Sequence, residues 1–384
     1  MSASPIIIVG SGMAAYTLAR EFRKLDAVTA ITIITADAGD AYSKPMLSTA
    51  LTQGKTPAQL VNMSADKMRE QLNATILTNT AVVAIDVAQQ SVQLADTSLN
   101  YSKLVLALGA DPVRPQLTGN AADSVYAVND LADYSRFRAA LADKKRVTLF
   151  GGGLIGCEFA NDLVNAGYSV DIVHPHHYPL ERLMPEAAGM AIKTGLANLG
   201  VHWHLGFAVA VNEDNGELRV TLNNGDTFTT DVALSAIGLR PRIQLALSAG
   251  INTQRGIQVD RQLHTNVPNV YAIGDCAEVA GHVLPYVLPL MAQARALAAT
   301  LAGTATDVAY PAMPVIIKTP ACPTAVATPN QLDSGTWQVE CTADGVCALY
   351  QDAQGLLLGF ALTGTATSQR QTLAKQLPPI LASS

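Results

Sequence analysis

Two glycine-rich turns dominate this sequence, each set between a short β-branched run and a stretch of apolar residues at helical spacing. The first, Gly10-Ser11-Gly12-Met13-Ala14-Ala15, follows Ile6-Ile7-Ile8-Val9; the second, Gly151-Gly152-Gly153-Leu154-Ile155-Gly156, follows residues 146–150. Both fit the pattern G-x-G-x-x-G/A between a strand and a helix. The first glycine allows a tight turn, and the second lets a pyrophosphate approach backbone N–H groups at the helix N-terminus. The last small residue lets helix pack closely on sheet. Each turn therefore commits its surroundings to a β-α-β unit, and together they imply two bound dinucleotides. Asp37 stands at the end of the strand after the first turn, placed to accept hydrogen bonds from a ribose. At the matching place after the second turn stands His174.

At 384 residues the chain suits two or three domains, on a prior of about 150 residues each. Hydrophobic residues make up 49% and charged residues 15%, enough for a sizeable core. No uninterrupted apolar run approaches the ~18 residues a membrane helix needs. The apolar start at residues 5–9 has no Lys or Arg before it and is cut short by Gly10 and Gly12, so it reads as a first buried strand rather than a signal peptide. The five cysteines are scattered, with no C-x-x-C pair and no zinc-like spacing. They read as small buried hydrophobes in a reducing, cytoplasmic setting. A net charge of -6 argues against nucleic acid or an anionic membrane as the main partner. His174-Pro175-His176-His177 lacks a spaced fourth ligand, so these are read as solvated loop histidines and no metal is expected.

Strands are expected at residues 30–35, 81–86, 91–94 and 104–108, with a pause near 112–115. The second unit has a strand at 146–150, a helix at 154–165 and a strand at 169–173. A hairpin at 218–222 and 227–230 follows, and a returning strand at 232–237 closes the unit near Gly238. A buried strand at 270–273 and an Ala- and Leu-rich helix at 288–301 come next. Beyond Pro311 the pattern alternates like an antiparallel meander, at 315–318, 336–341, 346–350 and 356–362. A last helix is expected at 368–376, before Pro378-Pro379.

The segment Thr265-Asn266-Val267-Pro268-Asn269-Val270-Tyr271-Ala272-Ile273-Gly274-Asp275 resembles the second flavin signature of the glutathione-reductase-like two-dinucleotide flavoproteins, and Ala107-Leu108-Gly109-Ala110 resembles their A-T-G motif. The match runs over about residues 5–300. The C-x-x-C or C-x4-C disulfide of the glutathione and thioredoxin reductases is absent, and so is the single cysteine of the NADH oxidases and peroxidases, for residues 37–51 contain none. Tyr42-Ser43-Lys44-Pro45-Met46-Leu47-Ser48 instead is similar to the Y-x-R-P-x-L-S stretch of reductases serving small iron proteins, with Lys44 in place of Arg. Thr49 stands where many ferredoxin reductases keep Lys. The tail, with Leu358-Gly359-Phe360-Ala361-Leu362-Thr363-Gly364, Lys375-Gln376-Leu377-Pro378 and Val315-Ile316-Ile317-Lys318-Thr319-Pro320, resembles the bacterial rubredoxin reductases of the pseudomonad type.

That resemblance implies an α/β fold with two Rossmann-like dinucleotide-binding domains and a small α+β C-terminal domain. The FAD-binding domain would be discontinuous, 1–111 with 240–312, around an NAD(P)H-binding domain at 112–239, and the C-terminal domain would be 313–384. The implied activity is flavin-dependent: hydride passes from NADH to flavin N5, and single electrons then pass to rubredoxin. No acid-base dyad is needed, because the cofactors carry the chemistry. The FAD site implied comprises Val9, Gly10, Ser11, Gly12, Ala15, Thr35, Asp37, Lys44, Pro45, Val82, Glu158, Asp275, Val287 and Lys318. Asp275 would hold the ribityl chain, with Glu158 and Lys318 beside the ring and Val287 at a helix N-terminus facing the flavin. The NAD(P)H site comprises Gly151, Gly153, Ile155, Gly156, His174 and Gly238. His174 suits a ribose or, when charged, a 2′-phosphate; with Arg182 the nearest arginine, NADH is favoured over NADPH. Lys55, Lys67 and Arg69 are candidates for docking an acidic rubredoxin. The alternatives are a reductase for a ferredoxin, flavorubredoxin or quinone-like acceptor, and a non-catalytic FAD-binding regulator. Such rubredoxin reductases are associated with alkane oxidation and with oxygen-stress defence.

Overall fold

Ile6–Val9 is buried along its whole length and lies at the centre of five parallel strands. Their order is Val270–Ala272, Lys103–Leu106, Ile6–Val9, Ile31–Ile34 and Thr75–Leu77. Strands enclosed on both faces cannot alternate polar and apolar residues, which is why these segments are nearly continuous Ile, Val and Leu. The helices Met13–Leu25 and Val287–Leu301 pack against each other and contribute to the same core. The computed structural model describes residues 4–329 and 335–382.

The pattern then repeats. Four parallel strands run in the order His202–Leu205, Ser169–His174, Arg146–Phe150 and Val232–Ser235. Leu154–Asn165 is the helix after the second turn, and Ala208–Asp214, Glu217–Leu222 and Thr227–Thr230 form an antiparallel three-stranded sheet beside it. The chain passes between the two parallel sheets through a ribbon in which Ala110–Pro112 pairs antiparallel with Leu239–Pro241.

The third sheet is wholly antiparallel: Val315–Ile317, Thr324–Ala327, Leu357–Thr363, Gly345–Gln351 and Thr336–Thr342. It is not an appendage. Ile317, Val326, Val346, Ala348 and Ala361 share one hydrophobic cluster with Ile192 and Leu196 of the helix Glu186–Asn198 and with Val147 and Leu149. The α/β class and the small third sheet agree with expectation.

Besides the short turns Pro57–Leu60 and Gln244–Ser248, the helices Ala65–Leu72, Leu131–Ala140 and Glu186–Asn198 carried no expectation. The last is interrupted in sequence by Gly189 and Gly195, residues that weaken a helix by about 1 kcal/mol each. Packing explains both. A Cβ on Gly189 would crowd Tyr178 and the carbonyl of Pro179, and one on Gly195 would come within 2.9 Å of Ala321 O and of Cys322 Cβ. The final helix also differs from the expected 368–376. Gly364–Gln369 is a 3-10 helix, and only Arg370–Ala374 is α-helical. Thr367 Oγ1 donates to Gly364 O at 2.7 Å and Ser368 Oγ to Thr365 O at 2.8 Å, side-chain bonds at i−3 that favour the tighter winding.

Because Gly195 is where the third sheet rests on that helix, Gly195→Val is expected to destabilise the protein by about 1–3 kcal/mol through overpacking. Thermal unfolding measures it, and an unchanged melting temperature would refute the tight contact.

Candidate functional site

The first turn is closed on one side and open on the other. Gly10 has φ +113°, and a Cβ there would overlap Ala107 O at the end of the neighbouring strand. A Cβ on Gly12, by contrast, would meet nothing within 4 Å. Gly12 caps Met13–Leu25 without any side-chain hydrogen bond, so the first N–H groups of that helix are left for an anion. Val9 and Ala15 are buried behind the turn. Thr35 Oγ1 at 2.7 Å, Ser11 Oγ at 2.9 Å and Gly39 N–H at 2.8 Å all donate to Oδ1 of Asp37. One carboxylate oxygen is thus held by protein while the residue itself is exposed.

The second turn repeats this design. Gly151 has φ +109° and a Cβ on it would overlap Ala236 O; Gly153 faces open space; Gly156 lies so close to Gly151 O that no side chain fits. Gly153 caps Leu154–Asn165, again with no side-chain bond. Ile155 and Ile237 are exposed nearby, and Gly238 follows with φ +121°. His174 is not a solvated loop histidine as its neighbours suggested. It is 6% exposed, because its Nδ1 accepts the Gly152 N–H at 3.1 Å and its Nε2 lies 3.1 Å from both Tyr178 O and Glu181 Oε2. Burial holds its pKa below the usual imidazole value. His176 is half exposed, and no group of three or more metal-ligating side chains occurs among the described residues.

The late Gly274-Asp275 pair reaches back to the first turn: Gly274 has φ +78°, and a Cβ there would lie 2.8 Å from Ala14 Cβ. Asp275 faces Lys44 at 3.7 Å. Burial lowers the pKa of that ammonium, and Asp275 opposes the shift. Gln293 accepts the Gly274 N–H at 2.6 Å and donates to Tyr310 Oη at 2.9 Å, which fixes the pair against the helix Val287–Leu301. Val287 begins that helix, whose N-cap Tyr286 makes no side-chain bond. Val82 is half-buried against the first core.

Glu158, Lys318 and Pro45 come together, joined by Ser48, which was not among the expected residues. Glu158 is 2% exposed. Its Oε2 accepts from Ser48 Oγ at 2.6 Å and from Lys318 Nζ at 2.8 Å, and its Oε1 accepts the Lys318 backbone N–H at 3.0 Å. Lys318 Nζ also donates to Ser48 Oγ at 2.7 Å and to Pro45 O. Farther along the same helix, Asp162 accepts the N–H groups of Leu51 and Thr52, and Asn161 accepts that of Ala321. The spacing of Glu158, Asn161 and Asp162, on one helical face, was the signal that could have revealed these contacts.

Beside this knot runs an open groove of about 1120 Å³, bounded by Thr49, Glu158, Lys318, Thr367 and Arg370. Of the docking candidates, Arg69 is committed: its guanidinium pairs with Asp66 and donates twice to Ile76 O. Lys67 is exposed. Arg370 on the groove had not been singled out. All five cysteines are free, but only Cys157, Cys276 and Cys322 are buried, while Cys341 is exposed. Burial pushes the Cys276 thiol up to about 11 and raises that of Cys157 as well, so neither offers a thiolate near neutral pH.

Lys318→Met would leave the buried Glu158 carboxylate without its cation. Since Lys318 is about one-third exposed, the expected loss is about 1–3 kcal/mol rather than the full cost of a buried pair. Adding Glu158→Gln should restore at least part of it, as read by thermal unfolding; no loss in the single variant would show the pair to be energetically idle.

Comparison with known proteins supports the same chemistry. Residues 4–298 match the family model described as pyridine nucleotide-disulphide oxidoreductase, and residues 307–377 match the rubredoxin binding C-terminal domain. The chain is 53% identical over 379 residues to the rubredoxin-NAD(+) reductase of Alcanivorax borkumensis, covering 98% of this chain and 99% of that protein. It is 47% identical to the rubredoxin-NAD(+) reductase of Acinetobacter baylyi, with 98% of each chain covered. A crystal structure of a ferredoxin reductase from Rhodopseudomonas palustris superposes with a TM-score of 0.87 at 25% identity, covering 98% of this chain and 96% of the other. With both fingerprints intact and its greater part matched by the family model, the chain belongs to the pyridine nucleotide-disulphide oxidoreductase family.

Proposed function

We propose that this protein oxidises NADH and delivers the electrons singly, through FAD, to rubredoxin. The observation that carries this reading is the union of two open phosphate cradles with a C-terminal sheet that matches a rubredoxin-binding domain and is tied by Lys318 to the helix of the second cradle. When bound, FAD supplies acceptance of a hydride and release of single electrons.

The residues present fit that cofactor. The uncapped turn at Gly10 and Gly12 would take its pyrophosphate, and Asp37, steadied by Ser11 and Thr35, would accept from its ribose hydroxyls. Lys44, Pro45 and Asp275 would hold the ribityl and ring region, with Val82 and Val287 as apolar neighbours. Glu158 and Lys318 would stand beside the ring as a pair of nearly cancelling charge. The second turn, through Gly151, Gly153, Ile155, Gly156 and Gly238, would take the pyrophosphate of NADH. No protein thiol is required, which agrees with the buried, undissociated state of Cys157 and Cys276.

The proposed units are 1–111 with 240–312 for FAD, 112–239 for NADH and 313–384 for acceptor binding. Each of the three large sheets falls within one of them. The groove at Thr367 and Arg370 would admit the acceptor. The reading includes a reducing, cytoplasmic setting, supported by five free cysteines; no helix of the described residues is long and apolar enough to cross a membrane.

Rapid mixing with NADH is expected to bleach the flavin, and rubredoxin is expected to reoxidise it faster than ferredoxin does. A yellow protein that NADH leaves unbleached would instead be a flavin-binding regulator. Rubredoxin reduction should slow as salt rises while dye reduction does not, if opposite charges guide docking; equal salt responses would remove that element. Gly151→Ala should keep the protein yellow yet slow its reduction by NADH by roughly 100-fold, the cost of a misplacement of about 1 Å. Undiminished reduction would show that the second turn does not hold the donor.

A further inference from the structure

The strand Ser169–His174 ends where a ribose-reading acid is needed, yet its last residue is a histidine with no capacity to spare. Nδ1 of His174 accepts the Gly152 N–H, so the ring proton must lie on Nε2 and be donated to Tyr178 O and Glu181 Oε2. The ring fills the space beneath the turn: a Cβ on Gly152 would lie 3.0 Å from His174 Cγ. His174 therefore supports the turn from below and presents, through one hydrogen bond, the carboxylate of Glu181.

That carboxylate stands at the surface. The Glu181 side chain is 21% exposed, and its Oε1 faces His176 Nε2 at 3.4 Å and Arg182 Nε at 4.0 Å. Both of those partners are themselves largely in water, at 52% and 92% exposure, so a ligand can displace them at little cost. An apolar platform adjoins the same strand end. His174 is in register with Leu205, Gly206 N–H donates to His174 O at 2.9 Å, and Leu205 and Phe207 are 59% and 54% exposed. Exposed apolar side chains beside a carboxylate and an open phosphate cradle match, in order, an adenine, a ribose diol and a pyrophosphate.

We propose that Glu181 reads the adenosine ribose of the nicotinamide dinucleotide, held in place by His174 as a positioning residue, and that it makes this protein select NADH over NADPH. A carboxylate accepts hydrogen bonds from the ribose hydroxyls, whereas the phosphate that replaces the 2′-hydroxyl in NADPH brings like charge against it. Arg182 does not offset this, because at 92% exposure its guanidinium is not held in place and a solvated ion pair is worth little. The inference rests on the NADH-dependent reading given above and deepens it by naming the residue that chooses the donor.

The test compares holoenzyme with its Glu181→Gln and Glu181→Arg variants, using calorimetric dissociation constants for NAD+, NADP+ and NAD+ lacking the adenosine 2′-hydroxyl. Flavin content checks that each variant folds. Glu181→Gln is expected to weaken NAD+ about 10-fold or more, the worth of a hydrogen bond to a charged group, without weakening NADP+. Glu181→Arg is expected to reverse the preference. The deoxy analogue should bind the original protein about 10-fold more weakly than NAD+ does, and the Gln variant no more weakly. An NAD+ to NADP+ ratio within about twofold of the original in Glu181→Gln would overturn the inference. If NADH fails to bleach the flavin, the proposed function falls and takes this inference with it. Unchanged ratios in a protein that NADH does bleach overturn this inference alone.

Discussion

A carboxylate buried to the extent of Glu158 is tolerable only if its charge is met inside the protein. Here the compensation comes from two other parts of the chain: a hydroxyl from Ser48, in the 3-10 helix Lys44–Thr49, and an ammonium and an N–H from Lys318, at the end of a strand in the third sheet. Three distant stretches of sequence thereby meet at the helix Leu154–Asn165. The hydrophobic cluster around Ile192, Leu196 and Val326 joins the second and third sheets, but apolar contact has no directional preference. The charged knot supplies direction, and with it a fixed placement of the groove relative to both nucleotide turns.

The two turns show the same solution reached twice. In each, the first glycine is pressed onto a strand carbonyl, Ala107 O or Ala236 O, where only a residue without Cβ fits. The second glycine faces empty space. What differs is the device at the end of the following strand. After the first turn an acid stands there and is braced by Ser11 and Thr35. After the second, an imidazole occupies the place and hands the acidic role outward.

Much of this was legible in the residues alone. The β-α-β units, the antiparallel tail and the convergence of Glu158 with Lys318 follow from periodicity, from glycines placed where backbone geometry demands them, and from motif resemblance. The helix Glu186–Asn198 was not legible, because Gly189 and Gly195 argue locally against it and are justified only by Tyr178, Pro179 and Ala321 pressing on it. Nor could His174 be read correctly. A histidine beside a proline and two more histidines looks like a solvated loop, and its burial becomes evident only when Gly152 is seen above it. The final helix was misjudged for a local reason, since Thr367 and Ser368 use their hydroxyls on the backbone. Long-range contact sets the first two outcomes, and local hydroxyl competition sets the third.

The ribbon between the parallel sheets gives the chain a particular architecture. Ala110 sits across from Pro241, and Asp111 pairs with Arg242 at 2.6 Å, so the outgoing and returning strands lie side by side. Everything from 113 to 238 departs from, and comes back to, nearly the same point in space. In topological terms the second nucleotide unit is an elaborated loop on the first, and the five-stranded sheet takes none of its strands from it. Relative rotation of the two units is opposed both by this pair of strands and by the bonds of Ser48, Leu51 and Thr52 to the helix Leu154–Asn165, so the distance between the cradles is held from two sides.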